Sequence, residues 1–228
     1  MPKVKVKICG VKTLEAAQVA AQSGASLVGL VFYPPSPRYL TVQMAHEISS
    51  VLLQMRDAPK SVGLFVNVSV AEMVETAEKC GLAYLQLSGD ETVEICRVVA
   101  QERPVIKSIR LKPPLTLDDA LATVAPYAEL DNVTVLLDAY KSGFYGGTGE
   151  RGDWEIAREI ARFWRLILAG GLTPENVAQA VAAVQPWGVD VSSGVEMDDQ
   201  PGIKDLEKIR KFAKHALSVQ NKINNSTF

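Results

Sequence analysis

Short runs rich in β-branched residues alternate with amphipathic helical stretches along the whole chain. The short runs predict strands at 3–9, 26–32, 61–66, 83–88, 104–110, 133–138, 165–170 and 188–193. The amphipathic stretches predict helices at 13–23, 41–56, 69–80, 91–102, 116–128, 154–163, 174–184 and 202–217. Three helix starts carry cap signals: Thr13, the run Thr173-Pro174-Glu175, and Asp153 before Trp154.

Strict alternation of this kind predicts a parallel sheet covered by helices. Eight βα units are the number that closes such a sheet into a TIM (βα)8 barrel. An open doubly wound sheet is the rival within the α/β class. It would normally place a glycine-rich dinucleotide turn after the first strand, where this chain reads Cys9-Gly10-Val11-Lys12. No Pro- or Ser-rich linker divides the chain, so one barrel domain is expected over 1–217, with a polar, frayed tail at 218–228. Two long βα connections stand out, 33–40 and 139–153. In a barrel, loops at the carboxyl ends of strands build the active site.

Composition narrows the class. A chain of 228 residues with 47% hydrophobic and 22% charged positions has enough apolar material for a packed core, which argues against disorder. The formal charge of −2 gives no global attraction to nucleic acid or anionic membrane, so an anionic ligand needs a local site. No apolar run has membrane-span length and the start MPKVKVKICG lacks a signal-peptide core, which makes the cytoplasm the expected compartment. Three cysteines without CxxC spacing argue against a disulfide framework or a thiolate zinc site, and His46 and His215 are too far apart to suggest a histidine metal site. Asn67-Val-Ser and Asn225-Ser-Thr read as chance sequons. Monomer and homodimer are equally compatible with the sequence.

Candidate chemistry sits at the strand ends. Lys5, Lys7 and Cys9 share one face of strand one, and Val4, Val6 and Ile8 share the other. With the apolar face on the helices, Lys7 and Cys9 point into the barrel, where the lysine is expected to favour the thiolate. The plain alternative for a cysteine is a small buried hydrophobe, which suits Cys80 and Cys96 in helical segments. Thr134, Leu136 and Asp138 face inward by the same parity. By position alone Asp138 reads equally as a functional carboxylate or a loop-opening cap.

Strand seven runs into Gly170-Gly171-Leu172-Thr173 and strand eight into Ser192-Ser193-Gly194. These are the two loops with which barrels frequently bind phosphate, because glycine lets backbone N–H groups approach an anion closely. The alternative is that the glycines only turn the chain. Gly146-Gly147-Thr148-Gly149 offers a further backbone wall or a lid. Arg38, among Pro34, Pro35 and Pro37, is either a bidentate carboxylate binder or a solvated surface residue. Asp190 faces inward in strand eight and needs a partner, either a sugar hydroxyl or Lys7.

Taken together, Lys7-Ile8-Cys9-Gly10, Ser36-Pro37-Arg38, Gln86-Leu87, Leu137-Asp138, Gly146-Gly147-Thr148-Gly149, Leu168-Ala169-Gly170-Gly171-Leu172 and the run Val189 to Glu196 resemble the phosphoribosylanthranilate isomerase family. The matches run in order through most βα units. The resemblance implies an Amadori rearrangement of N-(5-phosphoribosyl)anthranilate in tryptophan biosynthesis. It implies Cys9 as general base, Asp138 as general acid, Arg38 on the anthranilate carboxylate and Asp190 at the sugar, with no metal or organic cofactor. An acid in this role must hold a proton near neutral pH, which calls for a desolvated Asp138. Two positions depart from the family pattern: Ser88 stands where it has His, and Gly152 where it favours Phe. The rival readings are another phosphosugar barrel isomerase, such as one of the histidine pathway, and a non-catalytic phosphosugar-binding relative.

Overall fold

A computed structural model describes residues 3–111, 116–138 and 154–225, with side chains as far as Val219. Its strands are β1 (Lys5–Cys9), β2 (Leu27–Val31), β3 (Lys60–Phe65), β4 (Tyr84–Leu87), β5 (Val105–Arg110), β6 (Val133–Asp138), β7 (Leu166–Leu168) and β8 (Gly188–Val191). All neighbours pair in parallel, and β8 returns to β1 to close the barrel, with Lys7 beside Asp190 and Cys9 beside Gly29. The helices are α1 (Leu14–Gln22), α2 (Val42–Gln54), α3 (Val70–Cys80), α4 (Val93–Glu102), α5 (Leu117–Ala128), α6 (Trp154–Phe163), α7 (Val177–Val184) and α8 (Leu206–Asn225). A short 3-10 turn, Ser193–Val195, follows β8.

Strand parity divides the core into two shells. Val4 just before β1, Val6 and Ile8 of β1, Val135 and Leu137 of β6, and Val189 and Val191 of β8 pack outward against the helices. Leu27, Val62, Ile106, Leu136, Ile167 and Ala169 fill the barrel interior. A period of two sends alternate side chains to opposite faces, so both shells follow from the pattern. Helix entry is fixed by short polar side chains. Thr13, Thr41, Ser69, Thr92 and Thr116 each accept a hydrogen bond from the N–H three residues on, a contact worth about 1 kcal/mol.

Two helix starts differ from expectation. α7 begins at Val177 rather than 174, because Asn176 folds its side chain back: Oδ1 accepts from Thr173 N and Nδ2 donates to Gly171 O. Thr173 is therefore not the cap; its Oγ1 accepts from Glu175 N within that turn. α8 begins at Leu206 rather than 202, since Glu196 and Lys204 form an antiparallel bridge first and Asp205 Oδ1 then accepts from Glu207 N and Lys208 N. The helix also continues to Asn225, beyond the expected end at 217. The expected cap Asp153, the connection 139–153 with Gly146 to Gly149, and Gly152 lie outside the described residues.

Candidate active site

The carboxyl ends of the strands surround a cavity of about 560 Å³. Every candidate residue reaches its wall except Lys7, which lies buried beneath it. Cys9 enters from the end of β1 and Asp138 from the end of β6, as parity requires.

Beneath the thiol, Lys7 Nζ donates a 2.9 Å hydrogen bond to Asp190 Oδ1, with both side chains buried. The same ammonium is close enough to the Cys9 thiol for the two to influence each other's charge. Space for this arrangement comes from Gly29 on the adjoining strand, where a Cβ would stand 2.9 Å from Cys9 Sγ and 3.1 Å from Lys7 Nζ. Burial by itself would lower the Lys7 pKa, but the Asp190 carboxylate and, to a lesser degree, Cys9 override it and push it up to about 12. The expected thiolate does not result. Burial pushes the Cys9 thiol above its ordinary 9.0; Lys7 opposes this, but Asp190 claims much of that charge and adds its own repulsion. Desolvation and a competing carboxylate outweigh one lysine, so Cys9 is a neutral thiol at pH 7.

Arg38 is neither a solvated surface residue nor an empty clamp. Its Nε donates to Glu196 Oε1 at 2.7 Å and its Nη2 to Glu196 Oε2 at 2.9 Å, a planar two-point pair. Lys204 Nζ joins the same carboxylate at 2.9 Å and also donates to Ser192 O. Glu196 and Lys204 were missed as functional residues. Their pairing depends on the hairpin between residues 196 and 204, which has no periodic signature; the signal available was a Glu closing the Ser192–Glu196 motif. Burial alone would raise the Glu196 pKa, but the Arg38 and Lys204 bonds hold it below its ordinary value.

On the opposite wall, Ser88 is buried and accepts from Gln86 Nε2 at 3.0 Å, while its carbonyl accepts from Arg110 Nη2. The departure from histidine therefore leaves a small polar contact at this point. Arg110 and Asp138 are register partners on β5 and β6.

The two glycine-bearing loops meet across the β7–β8 rim. Gly170 and Gly171 have φ of +81° and +64°, a left-handed pair open to glycine. Among the described residues their N–H groups donate to no protein acceptor. Gly194 packs so closely on the first loop that a Cβ there would lie 2.0 Å from Leu172 O. Ser192 Oγ donates to Cys9 O, tying this corner to the thiol strand.

The remaining cysteines and histidines have local partners. Cys80 and Cys96 are buried in the helical layer, with burial pushing Cys96 to about 11. His46 Nδ1 contacts Lys79 O and His215 Nδ1 contacts Pro174 O. Among the described residues no group of three His, Cys, Asp or Glu is placed to hold a metal ion, and no helix is long and apolar enough to cross a membrane.

A family model described as N-(5'-phosphoribosyl)anthranilate (PRA) isomerase matches residues 6–215. The chain belongs to this family. A PRA isomerase of Trichlorobacter lovleyi is 44% identical over 214 residues, covering 93% of this chain and 98% of the relative. The crystal structure of the PRA isomerase of Thermotoga maritima superposes with a TM-score of 0.82 at 38% identity, covering 93% of this chain and 98% of that one. A PRA isomerase crystallised with reduced 1-(o-carboxyphenylamino)-1-deoxyribulose 5-phosphate gives 0.78 at 37% identity with the same coverage.

Proposed function

We propose that this member of the PRA isomerase family converts N-(5'-phosphoribosyl)anthranilate to 1-(2-carboxyphenylamino)-1-deoxyribulose 5-phosphate in tryptophan biosynthesis, with Asp138 as general acid and Cys9 as general base. Asp138 protonates the furanose ring oxygen as the ring opens, which leaves an iminium at the anomeric carbon. Cys9, as thiolate, takes the proton from the neighbouring carbon. The resulting enolamine tautomerises to the ketose, so the product is an isomer with no atom gained or lost. Each positioned proton-transfer group contributes about 10²–10⁴-fold. For its role Asp138 has to carry a proton when substrate is bound.

The observation that carries this reading is that Cys9 and Asp138 end two different strands and face one cavity large enough for a phosphorylated amino-sugar. Arg38 holds the anthranilate carboxylate, and Asp190, steadied by Lys7, meets the sugar. Gly170, Gly171, Ser192, Ser193 and Gly194 receive the phosphate, supported by the undonated N–H groups at Gly170 and Gly171. Both proton movements run between side chains and substrate, so the sequence of steps calls for no cofactor. We assign the activity to the cytoplasm and to a monomer or homodimer that engages neither nucleic acid nor membrane. The test is loss of anthranilate-type fluorescence on mixing the protein with freshly made phosphoribosylanthranilate, beside Cys9→Ala. Rapid decay that the variant abolishes supports the reading. Equal decay in both overturns Cys9 as base, and binding without decay points to a non-catalytic relative.

A further inference from the structure

We infer that Glu196 is a positioning residue that fixes which edge of Arg38 is offered to the substrate carboxylate; this rests on the reading of Arg38 as the carboxylate clamp. A guanidinium has five N–H donors in one plane. Glu196 occupies the Nε–Nη2 edge with two bonds of 2.7 and 2.9 Å. What remains is the outer edge, Nη1 together with the second proton of Nη2. Among the described residues Nη1 has no hydrogen bond, and Arg38 borders the cavity. A second carboxylate therefore meets a fork already held in plane, with little rotamer freedom left to lose on binding.

The rest of the surroundings supports a built device. Arg38 is carried by a loop whose Pro37 carbonyl accepts from Lys12 Nζ at 3.0 Å. Gly202 packs against that carbonyl, leaving a gap that a Cβ would close to 2.4 Å, and the Arg38 stem crosses Gly10, where a Cβ would lie 2.5 Å from Cδ. Glu196 itself is 6% exposed and is fixed from behind by Lys204, which also bonds Ser192 O at the glycine-bearing rim. One carboxylate thus joins the carboxylate clamp to the strand-eight loop. Net charge fits as well. Arg38 and Lys204 against Glu196 leave one positive charge, which an anthranilate carboxylate balances.

Removing Glu196 outright would strand the buried Lys204 ammonium, so the test uses the isosteric Glu196→Gln, with Glu196→Asp as a second variant and a melting curve for each. KM and kcat are measured on phosphoribosylanthranilate and on the phosphoribosyl derivative of aniline, which lacks the carboxylate. We expect Glu196→Gln to raise KM for the first about tenfold with kcat changed less than threefold, and to leave KM for the second unaltered. Glu196→Asp, which keeps the charge, recovers part of the loss. In an Arg38→Ala background, Glu196→Gln adds nothing further. Equal KM shifts on both substrates, or none on either, overturn the inference, as does a full extra loss in the Arg38→Ala background. If Glu196→Gln fails to fold, the same arms are read on Glu196→Asp, with a smaller carboxylate-specific rise expected. Should Arg38→Ala itself leave KM unchanged, the clamp reading fails; if Arg38→Ala raises KM and Glu196→Gln does not, only the positioning role fails.

Discussion

Lys7 Nζ sits 2.9 Å from Asp190 Oδ1 across the β1–β8 seam, so the cation nearest the buried Cys9 thiol is already paired with a carboxylate. Burial is what chiefly raises the thiol, and the lysine charge that would oppose it is shared with a carboxylate. The base form is therefore the minor form at neutral pH.

The pH profile follows from that balance. Cys9 has a pKa raised above 9.0, so the thiolate fraction grows about tenfold per pH unit below that value, and log kcat should rise with pH over the range in which substrate-bound Asp138 keeps its proton. Asp190→Asn removes the repulsion from Asp190 and its hold on Lys7, so the limb should move to lower pH even though the absolute rate falls. A pH–rate series on both proteins checks this; a limb at the same pH in the variant would dissociate Asp190 from the thiol.

Asp138→Asn keeps the shape of the side chain at the end of β6 but cannot supply a proton. We expect kcat to fall by about 10²–10⁴-fold with little change in binding. Steady-state kinetics read the rate, and a competitive product analogue reads the binding. A kcat within a few-fold of the parent would remove Asp138 from the acid role and return it to a loop-opening carboxylate.

How far the site was legible depends on the range of the interaction. Period-two alternation sent Lys7, Cys9, Asp138 and Asp190 inward, because the strand pleat makes that a local property. The sign of the Cys9 shift was not local, since it rests first on burial within the closed barrel and then on a carboxylate that the β1–β8 register brings beside Lys7. Glu196 was visible only as the end of a motif. Its partnership with Arg38 requires residues 197–204 to double back, a path that no hydrophobic period encodes. The late start of α7 has the same origin, since a side chain returning to Gly171 outweighed a proline cap signal.

Gly194→Ala should cripple phosphate capture. Its Cβ would fall 2.0 Å from a backbone oxygen, Leu172 O, which has no flexible end to yield. One of the two loops must then move. KM for the phosphorylated substrate should rise by at least tenfold, and inhibition by inorganic phosphate should weaken in parallel. Unchanged phosphate inhibition would show that this corner does not receive the phosphate.

Outside the cavity, Lys107 Nζ bonds Glu91 Oε2 at 2.7 Å and Gly89 O at 2.8 Å, while Glu91 Oε1 accepts from Asn67 N and Gly89 N. The group clamps the loops after β3 and β4 to β5 behind the barrel wall. Lys107→Met leaves a buried carboxylate without its cation, at a cost of about 3–5 kcal/mol. Urea unfolding measures it, and adding Glu91→Gln should recover part of the loss. A single-variant cost below about 1 kcal/mol would place this pair with weak surface ion pairs.

Gly29 offers the sharpest separation of geometry from chemistry, because it bears no reactive group. An added Cβ would press on Cys9 Sγ at 2.9 Å, on Lys7 Nζ at 3.1 Å and on the Cys9 backbone at 3.1 Å. Gly29 lies in mid-strand beside Cys9, so alanine suits its extended backbone and the crowding falls on Cys9 and the Lys7 ammonium. Gly29→Ala should therefore melt within a few degrees of the parent while kcat drops by about 10-fold or more, in line with the loss that misplacing a reacting group by a fraction of an ångström brings. Both quantities come from one preparation. A parent-like kcat would mean that the thiol tolerates displacement, which a general base poised over a carbon-bound proton does not.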